Sequence, residues 1–206
     1  MKKEDLLRMV AESGYNIGFG AKLHFATLDI VEKAPGWVNV IGFAVGVYSL
    51  IFPALALAGI SATLVIASSL TLYINFYNSD KEKYDKAGVA LTSAYHELRQ
   101  LYAEIQTQPA GADMGPFSAR RMTIVSGASS ISISKQIFLA SWYAHIKFFW
   151  EHQVDWINDE LKLSFVRDKV PFGAWATLVV LLGLGCAIYF HPGLLSVLFT
   201  TSPCKS

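Results

Sequence analysis

Between residues 37 and 78 the sequence has no Asp, Glu, Lys, Arg or His: WVNVIGFAVGVYSLIFPALALAGISATLVIASSLTLYINFYN. A helix needs about 20 apolar residues to cross the hydrocarbon core, so the run is long enough for two crossings. One helix of that length would overshoot any bilayer. Backbone in lipid must satisfy its own hydrogen bonds, which leaves two helices and a tight turn as the economical arrangement. Pro53 and Gly59 bracket the middle of the run, where such a turn belongs. The spacing predicts a membrane hairpin with helices over residues 37–56 and 58–77.

Other absences narrow the function. Cysteine occurs only at Cys186 and Cys204, which excludes a disulfide framework and metal-ligand spacing. Cys186, inside an apolar run, reads as a small packing residue. Charged residues make up 16% of the chain and the formal net charge is +1, so bulk electrostatics demand no nucleic acid or acidic partner. There is no P-loop, no G-x-S-x-G, no H-E-x-x-H and no C-x-x-C. Glu97, Glu104 and Asp113 belong to solvated helix faces or loops, and His145 and His152 lack companion ligands. The chain is therefore expected to be no enzyme and to need no cofactor or metal. With no ionisable group in mid-membrane, a proton relay is also excluded. Residues 1–33 mix both charge signs without an apolar core, unlike a cleavable signal peptide.

What is present is apolar. Hydrophobic residues are 53% of the chain and the mean hydropathy is +0.38, beyond an ordinary soluble domain. The expected fold class is all-α: a membrane protein with a helical hairpin, a cytoplasmic helical stalk and bundle, and a third, C-terminal transmembrane helix.

Residues 1–33 read as a cytoplasmic amphipathic lead-in of two helices, one ending near Gly14 and one over residues 21–33 with Leu23, Leu28 and Val31 inward. Gly14, Gly18 and Gly20 suit a hinge or a close approach; they lack the Walker lysine of a phosphate loop. Pro35-Gly36 is expected to break the chain before the hairpin of residues 34–78. In the first span Gly42 and Gly46 form G-x-x-x-G, a smooth groove for the second span or for another subunit. The second carries Ser61, Leu64, Ser68, Thr71 and Asn75 on one face. Such a row either lines a pore once copies assemble, or spends its hydroxyls on its own helix carbonyls and on helix packing. Lys22 and Lys33 precede the hairpin and Lys81, Lys83 and Lys86 follow it, which places both ends in the cytoplasm.

Residues 79–107 form the stalk, with Ser79-Asp80-Lys81-Glu82 resembling a capping box. Tyr84, Ala87, Leu91, Ala94, Leu98, Leu101 and Ile105 make a heptad seam, which packs either on the chain's own helices or on another copy. The cytoplasmic region 108–169 opens with a Gly- and Pro-rich loop and includes a Ser-rich stretch, read as helix. A long helix is expected over residues 135–165, with Leu139, Tyr143, Ile146, Trp150, Val154, Ile157 and Leu161 on one face. Its rings suit core packing, a membrane interface or nucleobase stacking. Residues 170–206 hold the third span and a tail. Gly183 and Ala187 repeat the small-residue spacing there, and Arg167 and Lys169 before it put the C-terminus outside.

The order of these parts resembles the SLATT family, two-span effector domains associated with SMODS nucleotidyltransferases and SLOG sensors. The residues that carry the likeness are Asn16-Ile17-Gly18-Phe19-Gly20-Ala21-Lys22, the hairpin, and the stalk from Tyr84 through Tyr95-His96-Glu97-Leu98-Arg99-Gln100-Leu101 to Ile105. The resemblance implies a bacterial anti-phage effector in the inner membrane, a homo-oligomeric pore that depolarises the membrane in response to a nucleotide signal. The helices beyond the two-span core resemble effectors of Hailong-type systems, where a partner nucleotidyltransferase makes a nucleotide or oligonucleotide ligand. Phosphates require cations or helix N-termini, which makes Arg99, Arg120, Arg121 and Lys135 the candidate contacts. The competing reading is a non-conducting membrane scaffold that anchors a partner protein.

Overall fold

The computed structural model describes residues 1–52, 58–151, 154–164 and 172–190, and every regular element among them is helical. The helices are α1 (Lys3–Ser49), α2 (Ala58–Asn75), α3 (Lys81–Gln106), α4 (Gly115–Ile131), α5 (Ala140–Glu151), α6 (Asp155–Leu161) and α7 (Phe172–Phe190). They divide into two compact units. The first, the bundle, comprises Met1–Glu32 and Phe76–Pro171; the second comprises Lys33–Asn75 and Phe172–Ser206.

In the bundle, α1 and α3 run antiparallel. The Lys3 ammonium donates to the carbonyl oxygens of Gln106 and Gln108, both at 2.7 Å, and so satisfies carbonyls at the C-terminal end of α3. Further along, a Cβ on Gly18 would meet the Tyr95 ring, and one on Gly88 would meet Phe25 at 2.8 Å. Of the three glycines that suit a hinge, Gly14 and Gly18 instead admit aromatic rings, and Gly20 lies against Leu91. A Cβ on Gly14 would lie 2.4 Å from Trp156, and one on Gly18 would lie 2.7 Å from Tyr95 and 2.9 Å from Phe148.

Three expectations need correction. First, α1 breaks neither near Gly14 nor at Pro35-Gly36; it continues for 47 residues. Pro35 forgoes one backbone donor, and the bonds on either side carry the helix through. Second, the expected helix over residues 135–165 is two helices. Residues 132–137 form an extended strap, Leu139 takes a left-handed φ of 69°, and α6 starts only after Val154 and ends on a left-handed Lys162. The buried face of α5 is Ala140, Ala144 and Phe148, whereas Leu139, Tyr143, Ile146 and Trp150 point to solvent. Third, the N-cap of α3 falls on Asp80 rather than Ser79, and its side chain caps no amide but accepts from Lys83 at 2.6 Å.

The seam on α3 is used within the chain. All seven of its residues, from Tyr84 to Ile105, are buried. From Leu91 onward they share one apolar cluster with Leu6, Val10, Ile17 and Ala21 of α1, Ile124 and Ala128 of α4, Phe148 of α5 and Ile157 of α6. Of the two partners the sequence left open, the chain's own helices fill it.

In the second unit, α1 ends at Ser49 and is closed by turn bonds from Leu50, Ile51 and Phe52. The first span thus stops short of residue 56, and the turn at Pro53 lies outside the described residues. The portion of α1 from Lys33 to Ser49 and the 18 residues of α2 each measure about 26 Å, close to a hydrocarbon core.

Candidate functional site

The hairpin carries the strongest functional signal, because most of the apolar side chains described in it are exposed. Val40, Ile41 and Phe43 on α1, and Val65, Ile66, Leu70 and Leu72 on α2, are all well exposed. The core helix of a soluble protein would bury them; here the matching solvent is lipid. Two helices, α1 and the one that starts at α2, are long and apolar enough to cross a bilayer, and the chain is a membrane protein.

The predicted polar row lies on α2. Leu64 is half-buried and faces Gly42, whose missing Cβ would sit 4.0 Å from it, so the G-x-x-x-G groove begins by receiving the second span. Gly46 meets nothing within 4 Å, and its part of the groove is open. Thr71 spends its hydroxyl on the carbonyl of Ala67 at 3.2 Å, as Thr63 and Ser69 do on Gly59 and Val65. Ser61, Ser68 and Asn75 are exposed. Gly183 of α7 meets nothing within 4 Å, and the side chain of Ala187 lies outside the described ones, as do Arg167 and Lys169 entirely.

Sequence reasoning missed a clasp at the end of the bundle where the chain enters and leaves the hairpin. The strap of residues 132–137 is held there from both sides. On α1, buried His24 accepts the Ile133 amide proton on Nε2 at 2.9 Å, and its Nδ1 donates to the Gly20 carbonyl at 2.7 Å. Buried Thr27 donates to the Gln136 side chain at 2.5 Å, and Gln136 in turn donates to the Ile133 carbonyl at 2.6 Å. On the other side, Tyr84 donates its hydroxyl to the Lys135 carbonyl at 2.6 Å, and the Lys135 ammonium lies 4.6 Å from the centre of the Tyr77 ring. Burial lowers the basicity of His24 and raises the Tyr84 phenol. Nothing in the local sequence around His24 advertised this, because the clasp joins residues more than a hundred positions apart.

The four candidate cations have four different settings. Arg120 pairs with Glu104 at 2.6 Å on the surface. Arg121 donates from Nη1 to Ser13 at 2.9 Å, while its buried Nε has no hydrogen-bond partner among the described residues. Lys135 belongs to the clasp. Arg99 lines a cleft of about 360 Å³ with Tyr102, Gln106, Asp155, Trp156 and Asp159. Two carboxylates beside one guanidinium do not make that cleft electropositive. Tyr102, held by burial and by its bond to Glu160 at 2.9 Å, is pushed up to about 12 and stays a neutral donor. Because exposed ion pairs contribute little, Arg120→Gln is expected to lower stability by less than about 1 kcal/mol in a thermal melt, which leaves it usable in a binding test.

No cluster of His, Cys, Asp and Glu suited to a metal ion occurs among the described residues. The sequence profile of SMODS and SLOG-associating 2TM effector domain 6 matches residues 1–178. No curated protein and no solved structure matches the chain.

Proposed function

The chain belongs to the SMODS and SLOG-associating 2TM effector domain family, and from that premise we propose a pore-forming membrane effector of bacterial anti-phage defence, opened or closed by a nucleotide signal. The observation that carries the proposal is the hairpin: two exposed apolar helices without a charge, one bearing a row of small polar residues. Ser61, Ser68, Thr71 and Asn75 would line the pore, with Leu64 of the same row turned toward Gly42 of the first span. Assembly of several copies would close the polar faces on one another and leave the apolar faces to lipid. The lysines flanking the hairpin support a cytoplasmic bundle and spans in the inner membrane, by the positive-inside rule. The 19 residues of α7 reach about 28 Å and would add a third span with an extracytoplasmic C-terminus.

The family's association with SMODS nucleotidyltransferases supports a nucleotide or oligonucleotide ligand made by such a partner. Arg99, Arg120, Arg121 and Lys135 remain the candidate contacts, with Arg120 and Arg121 outside the acidic cleft. Removal of all four charges should abolish nucleotide retention in a filter assay; undiminished retention would reject them.

The decisive experiment follows the membrane potential with a voltage-sensitive dye in cells that express the chain, alone and then with its genetic neighbours under phage challenge. Depolarisation that is lost when Ser61, Ser68 and Thr71 become Leu supports the pore. An unchanged potential in every condition, with the chain in the membrane, supports the scaffold reading instead.

A further inference from the structure

The outer face of α5 is an apolar stripe that, among the described residues, is exposed apart from the Lys147 ammonium 4.8 Å from the centre of the Tyr143 ring. Phe138 is 73% exposed, Leu139 49%, Tyr143 36%, Ile146 59% and Trp150 87%. Tyr143, Ile146 and Trp150 recur at three and four, so they lie along one line of the helix. With aromatic side chains of roughly 150–250 Å² each, the five residues together expose on the order of 600 Å², nearly the share of one partner in a standard interface. A monomer that left such a patch in water would sit at the upper limit of what soluble surfaces carry.

We propose that this stripe is the contact between two copies of the chain. The proposal rests on the chain's being a membrane protein, but not on its conducting ions.

Charge and position select the occupant. None of the five residues carries a charge. Its nearest cation, Lys147, is neutralised within the chain by Asp29, which removes the attraction for a polyanion. Lipid is the weaker occupant, because the stripe leads away from the end of the bundle at which the chain departs for the hairpin. At the clasp, the strap leading into α5 touches Thr27, Tyr77 and Tyr84, at the end of the bundle that joins the hairpin. By Phe148 the helix has reached Gly18 and Tyr95. That is nine residues back along α1 and eleven onward along α3, or about 14 and 16 Å by helical rise. The stripe therefore extends along the bundle, away from the end at which the chain leaves it after Glu32 and re-enters it at Phe76. An uncharged aromatic stripe is complementary to itself across a two-fold axis. The buried α3 seam cannot serve this purpose.

The test uses the full chain in membranes, with Cys186→Ser and Cys204→Ser as background. Ile146→Cys is compared with Val89→Cys, an exposed apolar site on α3, in cells carrying two differently tagged copies. A short bis-maleimide should join the two tags through position 146 about tenfold more efficiently than through position 89, because a docked pair holds its thiols at a high effective concentration. Adding Tyr143→Glu and Trp150→Glu should abolish that excess while the circular dichroism of the bundle stays unchanged. Equal crosslinking at both sites, or none at position 146, overturns the proposal. So does quenching of Trp150 fluorescence by brominated lipid, which would place the stripe in the bilayer. Crosslinking at position 146 without any depolarisation would refute the pore and leave this interface standing.

Discussion

Phe148→Ala should destabilise the bundle by about 3–5 kcal/mol, the range for truncating a fully buried aromatic residue. Phe148 is fully buried and sits edge-on to three rings, with centroids 5.5 Å from Tyr15, 6.1 Å from Phe19 and 5.2 Å from Phe149. It is also one of the residues through which α5 reaches the α1–α3 pair, at Gly18. Gly18→Ala presses on the same point from the opposite direction. Its new methyl would fall 2.7 Å from Tyr95 and 2.9 Å from Phe148. Tyr95 has little freedom to retreat, because its hydroxyl accepts a proton from the Trp156 indole at 3.0 Å. The gain of about 1 kcal/mol from alanine's helix propensity is therefore offset by overpacking of about 1–3 kcal/mol. The two changes should not add. Once Phe148 is gone the methyl has room, so Gly18→Ala should cost less in the Phe148→Ala background, with a coupling of about 1 kcal/mol or more. Thermal melts of the detergent-solubilised chain, followed by Trp156 fluorescence, measure all four corners of the cycle. Additive effects would mean that Gly18 is not packed as described.

That cycle concerns contacts that the sequence hid, and the reason is physical. The hairpin was legible because lipid imposes a rule on every residue in it: residues 37–78 hold no charge. The α3 seam was legible because polar residues flank a single apolar line, so only one face could be buried. On α5 that logic fails. Ala140, Ala144 and Phe148 form one apolar line and Tyr143, Ile146 and Trp150 another, and periodicity cannot rank them. The larger residues make the more prominent line in the sequence. The small ones are inward, since two alanines let α5 approach closely and Phe148 then reaches Gly18. The continuity of α1 was hidden differently. Pro35 and three glycines are local reasons to break a helix, and tertiary packing of Gly14 and Gly18 against Trp156, Tyr95 and Phe148 outweighs the glycine part. As for the candidate site, its residue types were visible and its connections were not. Lys135 was singled out for its charge, while its backbone carbonyl and its place in the clasp depend on Tyr84 and Tyr77, far away in sequence.

The clasp makes the bundle sensitive to acid, and His24 determines the direction. Folded His24 is neutral by construction: one ring nitrogen donates to Gly20 and the other must stay unprotonated to accept the Ile133 amide. Burial holds its pKa below the ordinary value, against a smaller upward contribution from the Gly20 carbonyl. Unfolded His24 takes up its proton near pH 6.5, and the folded residue does so only at lower pH. Between those two values the unfolded chain binds more protons, so stability falls as the pH drops through that window and levels off below it. The groups around the imidazole do not reverse this. Tyr84 is neutral throughout the window, Gln136 and Thr27 do not titrate, and Lys135 rests on the Tyr77 ring. Asp80, whose carboxyl is held low chiefly by its bond to Lys83, loses its contribution only as the pH falls below about 4. His24→Leu removes the titration and strands the Ile133 amide without an acceptor, so it should cost about 1–3 kcal/mol at neutral pH. The variant should also be flatter than the parent between pH 7 and pH 5, where the parent loses stability. Hydrogen exchange at the Ile133 amide reads the same event locally: protection should fade with acid in the parent and be absent in the variant. Equal acid sensitivity in the two chains would assign the titration to another group. A protected Ile133 amide at pH 5 would show that the clasp survives protonation.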